Sequence, residues 1–467
     1  MLLKSSNRSL GVGIALALTA LAVGALAGYA GPLIAGGVLA ALAVGLWALT
    51  SLEVGLLGVL AVITLIPFGA LPVKIVFTPT FLDLAVGAVA FVYALQWMSG
   101  QRRRLTLTPA HGPLALFMGA AVVSFVAGKD NGPLTSNLIR QFAELLLSLG
   151  FVFIIVDYAH SRERLDWLTR WLLVGGAGAA ALGIALYFLP PDVSERALSA
   201  LRVFNYPAGG VLRYIEDNPE NAQRAIGTSI DPNALGGLLA MVGALLAPQL
   251  LASKSVLGPK WVAYAAFGLV MACLVLTFSR GAMAALAIGL LGIALARYRR
   301  LVWLMALAAL LILLLPVTQE YVAHFVEGLQ GQDLATQMRF GEYKDALILI
   351  TRHPLGVGFA GAPEIDIYLG VSNAYLLIAE KMGLGGLALF IGIIGVTFGW
   401  AFQQRRAVYA NPALTPLWLG AHAGLAAALV VGIFDHYFFN LAFQHAGAIF
   451  WIFVGLCLSA TRLAADA

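Results

Sequence analysis

Charge is scarce in this sequence. Asp, Glu, Lys and Arg make up 11% of its 467 residues and hydrophobic residues 61%, with a mean hydropathy of +0.90, whereas soluble domains carry about 25% charged residues. That excludes a water-soluble fold. Apolar runs of roughly 17 to 25 residues point instead to an all-α polytopic membrane protein. Cysteine is nearly absent: Cys273 and Cys457 lie inside apolar runs without CxxC spacing, so disulfide and zinc frameworks are unsupported. Nor does any His, Cys, Asp or Glu grouping show metal-ligand spacing. The net charge of +5 collects in short connections, where it orients a membrane protein and is not a nucleic-acid footprint.

What the chain has in abundance is membrane-length segments. Candidate spans lie near 10–29, 31–49, 54–69, 82–99, 112–128, 141–157, 167–189, 233–251, 261–278, 282–298, 301–316, 374–401, 414–434 and 441–461. That is about 14 transmembrane helices, or 12–14 if a short early run is re-entrant. The basic start MLLKSSNRS reads as the flank of an uncleaved first helix. Lys4, Arg8, Arg102, Arg103, Arg104, Arg162, Arg164, Lys254, Lys260, Arg297, Arg299, Arg300, Arg405 and Arg406 fall in alternate connections. Assigning these to the cytoplasm puts both termini inside. Two long connections, 190–232 and 317–373, then face the periplasm, with a shorter one holding Lys129, Asp130 and Arg140.

The longest interruption of the apolar pattern runs from 339 to 386. It gathers Arg339, Glu342, Tyr343, His353, Ser372 and Asn373, and polar groups held together in so apolar a chain mark a candidate site. Helical spacing places Arg339, Glu342, Tyr343 and Ala346 on one side and Leu347 and Ile350 on an apolar side, a pattern that suits a helix lying on the membrane surface. The run His353-Pro354-Leu-Gly356-Val-Gly358 ends that helix. Its glycine spacing is a weak phosphate-loop signal, because no strand precedes it.

Arginine also appears on the outer side, against the usual bias. Arg196, Arg202, Arg213, Arg224, Arg339 and Arg352 lie in the long connections, and Arg280 occupies the tight turn Phe278-Ser279-Arg280-Gly281. An arginine between two apolar runs must snorkel, pair or face a cavity. An interfacial anchor explains Arg280 alone; several outward guanidiniums together favour an anionic, phosphate-bearing ligand. Asp231-Pro232-Asn233 reads as a helix start, with Asp231 as cap and exposed N–H groups near Arg224 that would also suit a phosphate. His436, at the outer end of a span, is expected in a capped, solvated loop, with a place on the site wall as the alternative.

In their order, SRGA at 279–282, RFGEYKDAL at 339–347, HPLGVGFAG at 353–361 and SNAYLLIAEKMGLGG at 372–386, preceded by RAIGTSIDPNALG at 224–236, resemble the bacterial O-antigen ligase and polymerase family. The resemblance implies a metal-independent, cofactor-free, inverting glycosyltransferase of the inner membrane. Such an enzyme moves a glycan from undecaprenyl pyrophosphate to an acceptor hydroxyl on the periplasmic side, on a lipid-linked glycan or on lipid A core. By the same resemblance Arg280 and Arg339, then Arg224 and Arg140, would hold the pyrophosphate, their charge offsetting what develops on the leaving group.

One position departs from the family. Ligases place His before Asn, Ser or Gln where this chain has Ser372-Asn373, and a serine hydroxyl cannot replace imidazole as a base near neutral pH. His353, Glu342 and Asp231 are therefore the expected catalytic candidates, with Tyr343, Ser372 and Asn373 expected to position substrate. The missing histidine tilts the reading towards a polymerase of O-antigen or exopolysaccharide repeats. A transporter or flippase of lipid-linked sugar would use the same arginines without bond making, but its mark, internal repeats, is not evident.

Overall fold

The computed structural model describes residues 49–74, 76–207, 209–314, 334–361 and 370–466, together with isolated positions within 28–47 and 319–331. The expected spans near 10–29 and 31–49 lie largely outside these residues. The described residues are mostly helical, with one antiparallel ribbon of two two-residue strands. Its elements are α1 (Leu52–Leu65), α2 (Phe81–Met98), α3 (His111–Ala127), α4 (Ser136–Tyr158), α5 (Arg162–Phe188) and α6 (Pro191–Ala200), then the antiparallel pair β1 (Arg213–Tyr214) and β2 (Gln223–Arg224). There follow α7 (Pro232–Leu251), α8 (Lys260–Leu276), α9 (Arg280–Ala296), α10 (Arg300–Leu314), α11 (Leu334–Arg352), α12 (Ala374–Ala410), α13 (Thr415–Phe434) and α14 (Gln444–Ala465).

Every span expected from residue 54 onward coincides with one of these helices. Among the described residues seven, α2, α4, α5, α7, α12, α13 and α14, are long and apolar enough to cross a membrane. Four shorter apolar helices, α1, α3, α8 and α9, accompany them. The chain is thus a multi-pass helical membrane protein, while the expected total of about 14 crossings is not established by these helices.

The centre of the bundle is α7, α13 and α14, whose residues are mostly buried. Lipid gives helices no hydrophobic reason to associate, so close approach of small residues supplies the contact. A Cβ on Gly420 of α13 would sit 2.6 Å from the carbonyl oxygen of Leu245 in α7. Further out, α4 lies against α14, α5 against α8, and α3 against α12.

The two ends of the bundle differ chemically. At one end Arg102 pairs with Asp157, Thr106 Oγ1 donates to Asp157 at 2.9 Å, and Arg462 donates to the carbonyl of Ala159 at 3.0 Å. Of the basic connections expected in the cytoplasm, those carrying Arg102 and Arg164 lie there. At the opposite end Ala70 N donates to Phe204 O at 2.8 Å and Asn131 Nδ2 to Val357 O at 2.7 Å. The segment 190–232 there carries more regular structure than a loop, because Pro191 starts the short helix α6 and the ribbon folds Arg224 back beside Arg213.

Within 317–373, α11 forms as the spacing predicts, but its faces differ from expectation. Ala346, Leu349 and Ile350 are buried while Leu347 and Ile348 are exposed. The polar residues Arg339, Glu342 and Tyr343 therefore share the inward face at three- and four-residue spacing, and α11 packs on α12. Beyond α11, His353–Gly358 runs against a break in α12. There Val357 N donates to Glu380 O at 2.8 Å and Gly358 N to Lys381 O at 3.0 Å.

Gly383 makes the break, with φ 73° and ψ 178°, a region open essentially to glycine alone. A Cβ there would lie 2.6 Å from Pro354 O, and one on Gly356 would lie 2.5 Å from Gly383 N. Gly383→Ala is expected to destabilise the fold by about 1–3 kcal/mol. Thermal unfolding in detergent checks this: the midpoint should fall, and an unchanged midpoint would contradict the packing.

Candidate functional site

The site forms where the end of α13 meets the start of α12. A helix leaves its last carbonyls and first N–H groups without intrahelical partners, and here one residue serves both ends. Asn373 Oδ1 accepts from Tyr375 N at 3.0 Å and Leu376 N at 2.9 Å, capping α12, while its Nδ2 donates to Ile433 O near the end of α13 at 2.9 Å. Ala374 N donates to Asp435 O at 3.0 Å, closing the seam between the two helices.

The inward face of α11 completes this seam. Tyr343 Oη lies 3.1 Å from both Ser372 O and Ile433 O, so its single proton has two alternative acceptors. Glu342 Oε2 accepts from Ser372 N at 2.8 Å. Of the expected residues, the structure thus brings together Glu342, Tyr343, Ser372 and Asn373. It uses Glu342 and Tyr343 to hold the backbone at Ser372.

Asp231 and Arg224 arrive from the ribbon side. Asp231 caps α7 as its sequence context predicts, with Oδ1 accepting from Asn233 N at 2.8 Å and Ala234 N at 2.9 Å. Arg224 donates through Nε to Thr277 O and through a terminal nitrogen to Asn233 Oδ1, both at 2.8 Å. The turn carrying Arg280 lies alongside: Ser279 faces Gly236 of α7, and a Cβ on Gly281 would sit 3.2 Å from Phe434 Cβ. Arg280 is the first residue of α9 and half-buried. Arg339 acts electrostatically on Tyr343 and on Asp435, which places it at the same seam.

Two expected residues stand apart. Arg140 donates to Asp83 Oδ2 at 2.7 Å, to Glu144 Oε2 at 3.4 Å and to Gln444 Oε1 at 3.3 Å, with Nε and its other terminal nitrogen on Asn137 Oδ1 at 3.3 and 3.1 Å. Its guanidinium is occupied by an ion-pair network on α4 and α2, not turned to the seam. His353 follows the last turn of α11, eleven residues beyond Glu342. At about 1.5 Å per residue that is roughly 16 Å along the helix axis. It lies by the Gly383 break.

The centre of the seam is Asp435-His436-Tyr437, where the sequence pattern offers a place on the site wall for His436 only as the alternative to a solvated loop. His436 is not solvated: its side chain is 19% exposed and its Nδ1 lies 3.6 Å from Asp435 Oδ1. Its ring meets those of Tyr437 and Phe443 at 5.2 and 6.1 Å. The Tyr437 hydroxyl interacts with Asp231 and Asn233. Burial first, then the neighbouring Asp231, pushes Asp435 up to about 8, and burial lowers His436 below the ordinary 6.5 despite Glu342 and Asp231 nearby. Both groups are therefore mainly neutral at pH 7. The only signal in the sequence was an Asp-His pair between an apolar run and an aromatic cluster, which reads equally as a helix end.

The seam brings Arg224, Arg339 and the turn carrying Arg280 beside Asp231 and Glu342, three guanidinium groups to two carboxyl groups, which suits an anion. Among the described residues no three His, Cys, Asp or Glu side chains form a metal-holding group. Asn373→Asp would keep the α12 cap but turn an acceptor towards Ile433 O. Opening of the seam by about 1.4 kcal/mol or more is expected, within the range for an unsatisfied polar contact, hence roughly tenfold faster amide exchange at Ala374. Exchange measured by mass spectrometry on peptides spanning 370–376 checks this, and an unchanged rate would contradict it.

Comparison with known proteins gives one family match: residues 264–391 match the family described as O-antigen ligase. No curated protein matches the chain. The matched stretch includes the Arg280 turn, the inward face of α11 and the Ser372-Asn373 cap. Over residues 264–391 the chain is thus similar to the O-antigen ligase family, which supports the resemblance read from its sequence.

Proposed function

We propose that the protein transfers a glycan from a polyprenyl pyrophosphate, undecaprenyl pyrophosphate in bacteria, to a sugar hydroxyl at the periplasmic face of the inner membrane. The observation that carries this reading is the convergence of Arg339, Arg224 and the Arg280 turn on the seam between α12 and α13, opposite the basic end of the bundle. Guanidinium forks bind phosphate oxygens in pairs. A pyrophosphate leaving group gains charge as its bond to the anomeric carbon breaks, and fixed cations there stabilise the transition state more than the ground state. Direct attack by the acceptor hydroxyl would invert the anomeric centre. Asp435, kept neutral by burial, leaves the arginines in excess.

The acceptor we favour is a second lipid-linked repeat, making the protein a polymerase of O-antigen or exopolysaccharide units. Ser372 supports this, since the position where ligases carry a histidine here only offers backbone to Glu342 and Tyr343. Transfer to lipid A core is the second reading, favoured by the family description itself. Incubating the reconstituted protein with labelled lipid-linked repeats, with and without lipid A core, separates them. Lengthened lipid-linked products mean polymerase, and label on the core means ligase.

Arg339→Ala and Arg280→Ala are each expected to slow transfer by about 10²–10³-fold, the cost of removing one preorganised charge-stabilising group. Lysine at either position should recover only part, because the fork is lost. Initial rates in proteoliposomes check this. Rates equal to wild type in both alanine variants would refute the pyrophosphate assignment.

A further inference from the structure

Beside the seam lies a groove of about 250 Å³, walled by Gln141, Phe359, Lys381, His436, Phe439 and Asn440. We propose that this groove receives the acceptor sugar and that His436 takes the proton from its attacking hydroxyl, an inference that rests on the glycosyl-transfer reading above.

The wall has the chemistry for a sugar. Two side-chain amides, Gln141 and Asn440, can exchange hydrogen bonds with ring hydroxyls, while Phe359 and Phe439 offer apolar faces to the C–H side of a pyranose. Phe359 is held in place by tilted ring contacts with Phe142 at 5.1 Å and Phe439 at 6.1 Å.

His436 is the imidazole on this wall. Its Nδ1 is buried, and among the described residues no group hydrogen-bonds it. The groups facing it come from several elements: Asp435 at the end of α13, Glu342 on α11, Asp231 ahead of α7, and the backbone of Val371. Lys381 of α12 stands on the groove wall paired with Glu380 at 2.7 Å. A neutral imidazole here is suited to accept a proton, since Glu342 and Asp231 nearby both favour the imidazolium formed. This places the base on the loop after α13 instead of at residue 372. The acceptor therefore approaches from the groove side.

The step balances as follows. The acceptor oxygen forms a bond to the anomeric carbon while the bond from that carbon to the pyrophosphate oxygen breaks. The electron pair leaves on the pyrophosphate beside the arginines, and the hydroxyl proton passes to His436 and then to water through the open groove. Because the base must be unprotonated, the rate falls as pH drops through the His436 pKa. Burial sets that fall below pH 6.5.

The test uses the full chain in proteoliposomes with a fluorescent polyprenyl-pyrophosphate repeat as donor and acceptor. His436→Gln should slow transfer by about 10²–10⁴-fold, with donor affinity within about threefold of wild type. Added imidazole should restore part of the rate in His436→Ala. Transfer by His436→Gln within about threefold of wild type would overturn the assignment. So would a wild-type profile of kcat/KM that shows no fall on the acid side of pH 6.5, a measurement that decides the matter even if both variants fail to fold. A wild-type protein that binds the donor but forms no glycosidic bond would overturn the transfer reading itself. A wild type that transfers, beside an equally active His436→Gln, overturns the base alone.

Discussion

The outer end of this protein depends on one closure, the hydrogen-bonded seam between the end of α13 and the start of α12. Two helix ends meet there with unsatisfied backbone groups in a setting poor in water, where leaving them unpaired is costly. Asn373 satisfies both with a single amide, and Tyr343 and Glu342 from α11 secure the chain just before it. Everything assigned to function stands on this closure. The Asp435 carbonyl accepts from Ala374 N in the seam, His436 follows it directly, and Arg339 lies on the face of α11 that the seam holds in place.

The electrostatics follow from the same burial. A carboxyl group near an arginine would ordinarily ionise and offset its charge, yet Asp435, near Arg339, is pushed up to about 8 by burial and by Asp231. Desolvation and like charge act in the same direction, and together they outweigh Arg339. The site keeps both an anion-attracting excess of guanidinium and an unprotonated imidazole at neutral pH. Arg140 illustrates the opposite outcome: its fork is taken up by Asp83, Glu144 and Asn137, so the same residue type serves the scaffold.

Much of the fold was legible because lipid imposes length and composition on each crossing; helices from α1 onward begin and end close to the apolar runs. The helix start at Asp231-Pro232 was equally plain, since capping is a local matter. What was hidden required partners distant in sequence. Nothing near Arg140 reveals that Asp83, on another helix, occupies it. His353 and Glu342 were both candidates for the base, but the rigid helix α11 separates them along its axis. The faces of α11 were misread at Leu347, because a helix between lipid and protein can expose leucine at no penalty. A place on the site wall was only the alternative for His436, because a polar pair after an apolar run reads the same whether water or another helix covers it. Only the fold shows that α11, α12 and the approach to α7 do so.

The account turns on where the diphosphate of the donor rests. Electron cryomicroscopy of the protein with a non-hydrolysable polyprenyl diphosphonate glycan measures this directly. The account predicts diphosphate density bounded by Arg339, Arg280 and Arg224, with the first sugar directed towards the groove at His436. Density seated instead in the cleft lined by Asp83, Arg140 and Glu144, or with the sugar directed away from His436, would contradict it.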